Sequence, residues 1–305
     1  MKILITEPLD QTIVRRFQNQ YPGIIFQSAV NFPGQDLPVQ IKLIKDCQAL
    51  IIRSETKIIK ALVAKATGLK IIASACSGVN NVDLKALKKL GIKHVNSPNG
   101  NYEAVAEHIL CLMLSLSKNI ISADRQLKNH LWRKNKLISE MINGKTLGIV
   151  GFGKIGKCLS KKALGLGLKI LAHDPFVNLA EYPHIKPATL NTLLKKSDYI
   201  AVCVPLLKET VNLINKNKLI LMKPSAYLIN CSRGEVIDEK ALYYCCKNRK
   251  ISGAGLDVFS NEPNINYDLC ELSNVIVTPH IAGQTKEALK KNSEIVLKQV
   301  INYLL

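Results

Sequence analysis

Three polar side chains that could act together on an alcohol follow successive apolar runs towards the end of the sequence. Arg233 ends the stretch Ile-Asn-Cys-Ser-Arg, Glu262 follows Leu-Asp-Val-Phe-Ser-Asn, and His280 follows Val-Thr-Pro. Ligands of open α/β sheets bind beyond the carboxyl ends of the strands, so these positions favour one shared site. The forked guanidinium of Arg suits a carboxylate or carbonyl oxygen. His can accept a hydroxyl proton near neutral pH, and a neighbouring acid can fix its tautomer.

A glycine-rich segment, Gly151-Phe-Gly153-Lys-Ile-Gly156, follows the apolar run Thr-Leu-Gly-Ile-Val and opens a helical pattern. In dinucleotide-binding loops the first glycine allows a tight turn, the second lets the backbone approach a pyrophosphate, and the third lets helix and strand pack closely. The free N–H groups of the helix would point at the phosphates. The pattern alone is weak, and glycines used only for packing are the alternative. The strand before it and the helix after it favour a dinucleotide site.

Asp174 ends the next apolar run, eighteen residues after Gly156. A carboxylate at this place accepts hydrogen bonds from a ribose 2′-hydroxyl and repels a 2′-phosphate. The residues that follow, Pro-Phe-Val-Asn, include no Arg or Lys that could neutralise such a phosphate. The sequence therefore predicts NAD as the cofactor in preference to NADP.

Each residue of the first group also has an ordinary structural explanation when it is taken alone. Arg233 could form a surface ion pair, Glu262 could be a solvated loop acid, and His280 could cap a helix. Together, in a dinucleotide-binding domain, they fit the oxidation of a small 2-hydroxy acid without a metal ion. The remaining histidines lack such partners in the sequence pattern; they are His94, His108, His130, His173 and His184.

The formal net charge of +19 is the one unusual bulk property, and it raises the hypothesis of a nucleic-acid partner. Of the 42 basic residues, however, 35 are Lys and only seven are Arg, and the lysines are spread along the chain. Base readout and bidentate phosphate contacts favour Arg. We therefore interpret the charge as a Lys-rich surface and expect no nucleic-acid partner.

Cysteine usage and apolar run lengths indicate the compartment. The nine cysteines include no Cys-x-x-Cys pair, which is typical of reduced thiols and gives no zinc site. The N-terminal apolar run is too short for a secretion signal, and the longest run, 109–114, is too short for a membrane span. We expect a cytoplasmic protein without a membrane partner.

Short β-branched runs alternate with amphipathic stretches from end to end, which predicts parallel sheets covered on both faces. Eleven strand candidates are more than a single open sheet usually contains, so we predict an α/β fold of two doubly wound units. A long helix over 103–118 is expected to bridge the units, and a last helix is expected over 285–303. The strand candidates are 2–6, 24–27, 49–53, 70–75, 93–96, 146–150, 169–173, 199–204, 226–230, 253–258 and 275–278.

These motifs resemble the D-isomer-specific 2-hydroxyacid dehydrogenase family along nearly the whole chain, and most of all its members that oxidise 3-phosphoglycerate. The resemblance rests on the glycine loop from Leu147 to Pro175 and on the stretches 199–210 and 222–238. It implies a Rossmann NAD-binding domain, 99–282, inserted into a flavodoxin-like substrate-binding domain, 1–98 plus 283–305. It also implies a homodimer formed through the cofactor domains, with 120–142 as the contact.

The resemblance also implies the role of individual residues. Arg233, Glu262 and His280 match the family's catalytic residues, and Asp257 matches an acid that binds the nicotinamide carboxamide. Cys76 and Asn80 depart from the family pattern, so the loop that holds the substrate carboxylate is expected to differ in shape. The implied substrate-binding residues are Arg53, Ser54, Gly78, Val79 and Asn101. The implied cofactor-binding residues are Ser77, Gly151, Gly153, Lys154, Ile155, Gly156, Asp174, Val204, Pro205, Cys231, Ser232, Asp257 and Gly283.

Three functions stay open on the sequence. The first is NAD-dependent oxidation of 3-phosphoglycerate to 3-phosphohydroxypyruvate, which would feed serine biosynthesis. The second keeps the chemistry and changes the substrate to glycerate/hydroxypyruvate or glyoxylate. The third is an NAD-sensing binding protein, since transcriptional corepressors share the fold. A C-terminal regulatory domain is not expected after Leu305, so feedback by serine is not expected either.

Overall fold

The computed structural model describes all residues, 1–305, and the chain divides into two compact units. The first unit comprises Met1–Asn101 with Gln284–Leu305, and the second comprises Tyr102–Gly283. Each unit contains one sheet in which all strand pairs are parallel. The predicted α/β class with two parallel sheets is therefore confirmed. The sequence put the boundaries after residues 98 and 282, against 101 and 283 for the compact units.

The sheet of the first unit has the strand order β2-β1-β3-β4-β5. Strands β3 and β4 are buried at every residue, as expected for apolar runs that are covered on both faces. The C-terminal helix α11 packs against β4 and α1, so it belongs to the core of this unit. The elements are β1 (Lys2–Ile5), α1 (Gln11–Gln20), β2 (Ile25–Ser28), α2 (Leu37–Ile44), β3 (Ala49–Ile52), α3 (Lys60–Val63), β4 (Ile71–Ser74), α4 (Leu84–Lys89), β5 (Lys93–Asn96) and α11 (Lys286–Leu304).

The sheet of the second unit has the order β12-β11-β10-β9-β6-β7-β8. The order reverses beside β6, which pairs with both β7 and β9, and ligands of such sheets bind at this reversal. The elements are α5 (Tyr102–Ser117), α6 (Ile120–Lys128), β6 (Thr146–Val150), α7 (Lys154–Gly165), β7 (Lys169–His173), β8 (Ile185–Pro187), α8 (Leu190–Lys196), β9 (Tyr199–Val202), α9 (Lys216–Leu219), β10 (Tyr227–Asn230), α10 (Glu239–Lys247), β11 (Gly253–Leu256) and β12 (Val275–Val277). Short 3-10 helices occupy Phe32–Gly34, Lys134–Lys136, Leu179–Glu181, Lys208–Thr210, Gly234–Val236 and Tyr267–Leu269.

Two sequence expectations about the elements need correction. All eleven predicted strands are present, but β8 was missed because it has three residues, one of them Pro, and buries only Ile185. The long helix expected to bridge the units lies wholly in the second unit as α5. Its apolar side chains are buried against α7, β10 and β11, so packing holds it to one sheet.

No single helix is both long enough and apolar enough to cross a membrane, and only the bent pair α5 and α6 meets those criteria when its members are counted together. The cytoplasmic location stays a prediction.

Candidate active site

His280 and Glu262 form a hydrogen-bonded pair in the loops that follow β12 and β11. The Nδ1–H of His280 donates to Glu262 Oε2 over 2.6 Å, and Glu262 Oε1 accepts from the N–H of Phe259 over 2.8 Å. With Nδ1 used in this way, the neutral imidazole offers Nε2 as a proton acceptor. The structure thus brings together the histidine and the acid that the sequence singled out.

The charges around Glu262 suit its position beside a proton acceptor. Burial alone would raise the pKa of the Glu262 carboxyl, but the hydrogen bonds from His280 and from the Phe259 N–H outweigh burial, and the charges of His280 and Arg233 act in the same direction. The pKa of Glu262 therefore lies below its ordinary value of 4.5. A charged Glu262 stabilises the imidazolium that forms when His280 takes up a proton.

The segment that carries His280 is held by Asp257, whose side chain is completely buried. Its Oδ1 accepts from Thr278 Oγ1 over 2.6 Å and from Ile281 N over 2.8 Å, and its Oδ2 accepts from Ala282 N over 2.8 Å. His280 has a φ of 54°, a left-handed conformation that is uncommon outside glycine and that surrounding bonds must maintain. Asp257 therefore positions the histidine. Its contact with the nicotinamide carboxamide stays a prediction.

Arg233 lies on a loop that Asn230 organises at the end of β10. Asn230 Oδ1 accepts from Ser232 N over 3.0 Å and from Ser232 Oγ over 2.7 Å, while its Nδ2 donates to the Arg233 carbonyl over 2.8 Å. No carboxylate lies within salt-bridge distance of the Arg233 guanidinium, so its charge is available to an anion. Burial, with a smaller contribution from Asp257, raises the pKa of the neighbouring Cys231 thiol, which makes a reactive thiolate unfavourable.

The Arg233 loop and the Glu262 loop are joined directly. A Cβ on Gly234 would lie 2.0 Å from the Phe259 carbonyl carbon and 2.2 Å from Ser260 N, so the close approach of the two loops requires glycine. Glu239, the first residue of α10, accepts from Ser260 N over 2.6 Å. These contacts hold the segment that carries Glu262 against the residue that follows Arg233.

The glycine loop has the geometry expected of a pyrophosphate site. Gly151 has a φ of 93°, and a Cβ there would lie 2.7 Å from the Cys203 carbonyl oxygen. A Cβ on Gly156 would lie 2.4 Å from the Gly151 carbonyl oxygen, whereas at Gly153 nothing lies within 4 Å. The first and third glycines therefore serve close packing, and the second borders open space that a ligand backbone contact needs. These residues fit an NAD pyrophosphate at the start of α7.

Asp174 lies at the end of β7 and is bonded to the glycine loop. Its Oδ2 accepts from Phe152 N over 2.7 Å, and its Oδ1 accepts from Phe176 N over 2.8 Å. Each carboxylate oxygen keeps a second lone pair, so a ribose hydroxyl can still donate to it. Asp174 thus has a structural task that the sequence pattern did not indicate, in addition to its predicted contact with the ribose.

We expect Asp174→Ala to weaken discrimination against NADPH and also to weaken NADH binding, because the Phe152 N–H loses its acceptor. The ratio of kcat/KM for NADH to that for NADPH should fall by about tenfold or more, which corresponds to ~1.4 kcal/mol. Asp174→Asn is the matched control, since it keeps one acceptor oxygen and removes the charge. An unchanged cofactor ratio in both variants would mean that another group reads the ribose.

In the first unit, the predicted substrate residues lie on loops that follow β3, β4 and β5. Asn81 Nδ2 donates to the Arg53 carbonyl over 2.8 Å and so joins the first two loops. Ser77 Oγ donates to Asn101 Oδ1 over 2.8 Å and joins the second and third. The thiol of Cys76, a departure from the family pattern, donates to the Gly78 carbonyl over 3.3 Å. Ser54 is exposed, while Gly78 and Val79 are half-buried.

The side chain of Arg53 is incompletely bonded. Its Nη2 donates to Gln284 Oε1 over 3.5 Å, which is a long contact, and its Nε is buried without a hydrogen-bond partner. No carboxylate lies within salt-bridge distance. A buried donor without a partner is uncommon in folded proteins, so the Arg53 guanidinium keeps a donor that no protein acceptor uses.

The other predicted cofactor residues of the second unit follow the carboxyl ends of β6, β9 and β12. Lys154 and Ile155 form the first turn of α7, Val204 and Pro205 follow β9, and Gly283 closes the segment that Asp257 holds. Their contacts with NAD stay predictions. Sequence reasoning missed four further polar residues that shape these loops, which are Glu7, Asn81, Asn230 and Glu239. For Asn230 a signal existed, since Asn side chains often accept from the backbone N–H two residues later.

The sequence is similar to known proteins along nearly its whole length. Residues 110–282, more than half of the chain, match the family model described as D-isomer specific 2-hydroxyacid dehydrogenase, NAD binding domain. The D-3-phosphoglycerate dehydrogenase of Archaeoglobus fulgidus is 36% identical over 99% of this chain, which spans only 57% of that relative's length. The hydroxypyruvate reductase of Thermotoga maritima is 36% identical, covering 95% of this chain and 94% of that protein. The glyoxylate reductase of Thermococcus litoralis is 35% identical, covering 99% and 93%.

Solved structures show the same fold over the full length. A D-lactate dehydrogenase from Aquifex aeolicus, complexed with NAD and lactic acid, has a TM-score of 0.86 and 29% identity, covering 100% of this chain and 95% of that chain. An acyclic imino acid reductase in complex with NADPH and D-Arg has a TM-score of 0.88 and 29% identity, covering 100% and 97%. With the matched NAD-binding domain and full-length relatives, these likenesses establish the relationship. The chain belongs to the D-isomer-specific 2-hydroxyacid dehydrogenase family.

Proposed function

We propose that this protein is an NAD-dependent oxidoreductase that interconverts 3-phosphoglycerate and 3-phosphohydroxypyruvate, a step of serine biosynthesis. The observation that carries the chemistry is the 2.6 Å hydrogen bond between His280 and Glu262 on the domain that also carries the glycine loop. Bound NAD supplies the acceptor for the hydride that leaves C2 of the substrate. The protein's own residues must then handle one proton and one carboxylate.

His280 is proposed to take the proton of the substrate hydroxyl on Nε2, since Nδ1 is bonded to Glu262. Glu262 keeps the imidazole in one tautomer and compensates the positive charge that the proton brings. Arg233, which forms no salt bridge, is proposed to donate to the substrate carboxylate and to the oxygen on C2. In the reverse direction the same Nε2–H returns the proton to the carbonyl oxygen.

Arg53 is proposed to bind the phosphate of the substrate. Its unpaired Nε and weakly bonded Nη2 provide adjacent donors, and phosphate oxygens accept such pairs in bidentate fashion. The long contact with the neutral Gln284 leaves the charge of the guanidinium uncompensated. These features favour a substrate that carries a phosphate as well as a carboxylate over an unphosphorylated one.

A second candidate function is reduction of hydroxypyruvate or glyoxylate by the same chemistry. The observation that favours it is sequence identity, because the reductases of Thermotoga maritima and Thermococcus litoralis are 36% and 35% identical to this chain. The phosphoglycerate dehydrogenase of Archaeoglobus fulgidus is no more similar, at 36% identity. For this candidate, Arg53 would not discriminate between substrates.

Parallel steady-state assays of NADH oxidation distinguish the two candidates. With 3-phosphohydroxypyruvate, hydroxypyruvate and glyoxylate at low salt, the phosphorylated substrate should have a kcat/KM about tenfold higher or more, ~1.4 kcal/mol of transition-state preference. Arg53→Ala should abolish this preference, and the control Arg53→Lys should keep part of it because the charge remains. Higher kcat/KM for an unphosphorylated acid would favour the reductase. No turnover despite tight NADH binding would favour an NAD-sensing protein.

A homodimer formed through the segment 120–142 is also proposed. This segment exposes large apolar side chains, with Trp132 82%, Ile138 88% and Met141 70% exposed. Several large apolar side chains exposed on one short segment are what a protein–protein contact would cover. Sedimentation velocity at micromolar concentration should give a dimer for the wild type and a monomer for the double variant Trp132→Lys/Ile138→Glu. A wild-type monomer would contradict the proposal.

A further inference from the structure

Glu7, which follows β1, is a buried carboxylate without a cationic partner. Only 4% of the residue is exposed, and it takes part in no salt bridge. Its Oε1 accepts from Arg53 N over 2.8 Å and from Thr56 N over 3.0 Å, and its Oε2 accepts from Glu55 N over 3.1 Å. A carboxylate is costly to bury unless hydrogen bonds replace water. Here the replacement comes from the backbone of one short loop, 53–56.

Asn81 binds the same loop from its carbonyl side. Its Nδ2 donates to the Arg53 carbonyl over 2.8 Å and to the Thr56 carbonyl over 2.7 Å. In addition, the hydroxyls of Thr6 and Thr56 share a buried hydrogen bond of 2.8 Å. Both ends of the loop are therefore bound at their N–H and their C=O groups.

The Arg53 side chain contrasts with this fixed backbone. The N–H and carbonyl of Arg53 are both bonded to buried side chains, whereas the guanidinium has one long contact and one unpaired donor. A cation on a fixed backbone needs little rearrangement when it meets an anion, which lowers the entropic penalty of binding. The hydrogen bonds from Glu7 and Asn81 to the Arg53 backbone thus fix the starting point of a guanidinium that is itself weakly bonded.

We propose that Glu7, together with Asn81, is a positioning residue that holds Arg53 in place for the anionic end of the substrate. This inference rests on the proposed function and extends it to side chains that do not touch the substrate. Because the effect of Glu7 passes through Arg53, loss of the carboxylate should weaken substrate binding and leave proton and hydride transfer unchanged. The effect should also disappear once Arg53 is removed.

A double-mutant cycle tests the proposal with Glu7→Gln, Arg53→Ala and the double variant, each assayed for kcat and KM with 3-phosphohydroxypyruvate and NADH. Gln has the shape of Glu but turns one acceptor oxygen into a donor that faces backbone N–H groups. Glu7→Gln should raise KM about tenfold and leave kcat nearly unchanged. This change corresponds to an interaction free energy of ~1.4 kcal/mol between Glu7 and Arg53 in the double-mutant cycle. In the Arg53→Ala background the same substitution should have no further effect.

Ile72→Val is the matched control, since it removes one methyl group from β4 of the same sheet and leaves the loop untouched. It should leave KM unchanged. If Glu7→Gln raises KM equally with and without Arg53, or lowers kcat instead, the proposal is overturned. If Arg53→Ala itself leaves KM unchanged, the role of Arg53 in the proposed function fails. In that case hydrogen exchange of the backbone amides still tests whether Glu7 holds the loop. Faster exchange at the Arg53 and Thr56 amides in Glu7→Gln than in Ile72→Val supports the positioning role. Equal exchange in the two variants overturns it.

Discussion

Replacement of His280 by Asn should lower kcat by about 10²–10⁴-fold, the range expected when a general acid–base group is lost. Asn tolerates the left-handed backbone that His280 adopts, and its amide can still donate to Glu262. The loop therefore keeps its shape while the proton acceptor is removed. His280→Ala should reduce kcat by a similar factor. The measurement is steady-state turnover combined with a fluorescence titration of NADH binding, which should be nearly unchanged.

The control for this substitution is His184→Asn, at an exposed position outside the site, which should leave turnover unchanged. Turnover of His280→Asn at the wild-type rate would remove His280 as the acid–base group. Loss of NADH affinity together with turnover would assign it a structural role instead.

Replacement of Arg233 by Lys should lower kcat/KM by about 10²–10³-fold, comparable to the loss of a preorganised donor at a developing charge. Lys keeps the charge but lacks the fork that bonds two oxygens at once. Arg233→Ala should have the larger effect, because the carboxylate of the substrate then lacks its cation. In contrast to Arg53→Ala, both variants should affect phosphorylated and unphosphorylated acids alike, since every candidate substrate has the carboxylate.

Arg249→Lys is the control. Arg249 is exposed and follows α10 in the sequence, whereas Arg233 precedes it, so this variant should leave kcat/KM unchanged. A loss confined to the phosphorylated substrate would place Arg233 at the phosphate and contradict the assignment. An unchanged kcat/KM in Arg233→Ala would remove Arg233 from the site.

Most of the fold could be predicted because parallel strands leave a strong pattern. Runs such as Ala49–Ile52 and Tyr199–Val202 are apolar at every position, and both are buried throughout. Strand β8 was not predicted, because an edge strand with only one buried residue has no run of apolar residues. The extent of α5 was predictable from its apolar face, but the unit to which it packs was not, because periodicity gives no information on the partner.

The pairing of His280 with Glu262 was predictable, because the type of each residue and its place after a strand both favoured one shared position. Residues that act on backbone groups were not predictable in the same way. Asp257 was interpreted as a cofactor contact, and only the three-dimensional arrangement reveals that its oxygens hold the segment 278–282. Glu7 stands 46 residues before Arg53, and no local pattern indicates that its carboxylate will meet that N–H group.

The proposed transfer of a hydride between a D-2-hydroxy acid and NAD can be followed by NMR of the reduced cofactor. The protein is incubated with NAD and with 3-phosphoglycerate or glycerate deuterated at C2, with the D and L enantiomers in separate reactions. We expect deuterium at C4 of the nicotinamide from the D enantiomers and none from the L enantiomers. Reduced cofactor without deuterium, transfer from the L enantiomers, or no reduction with any of the acids would contradict the claim.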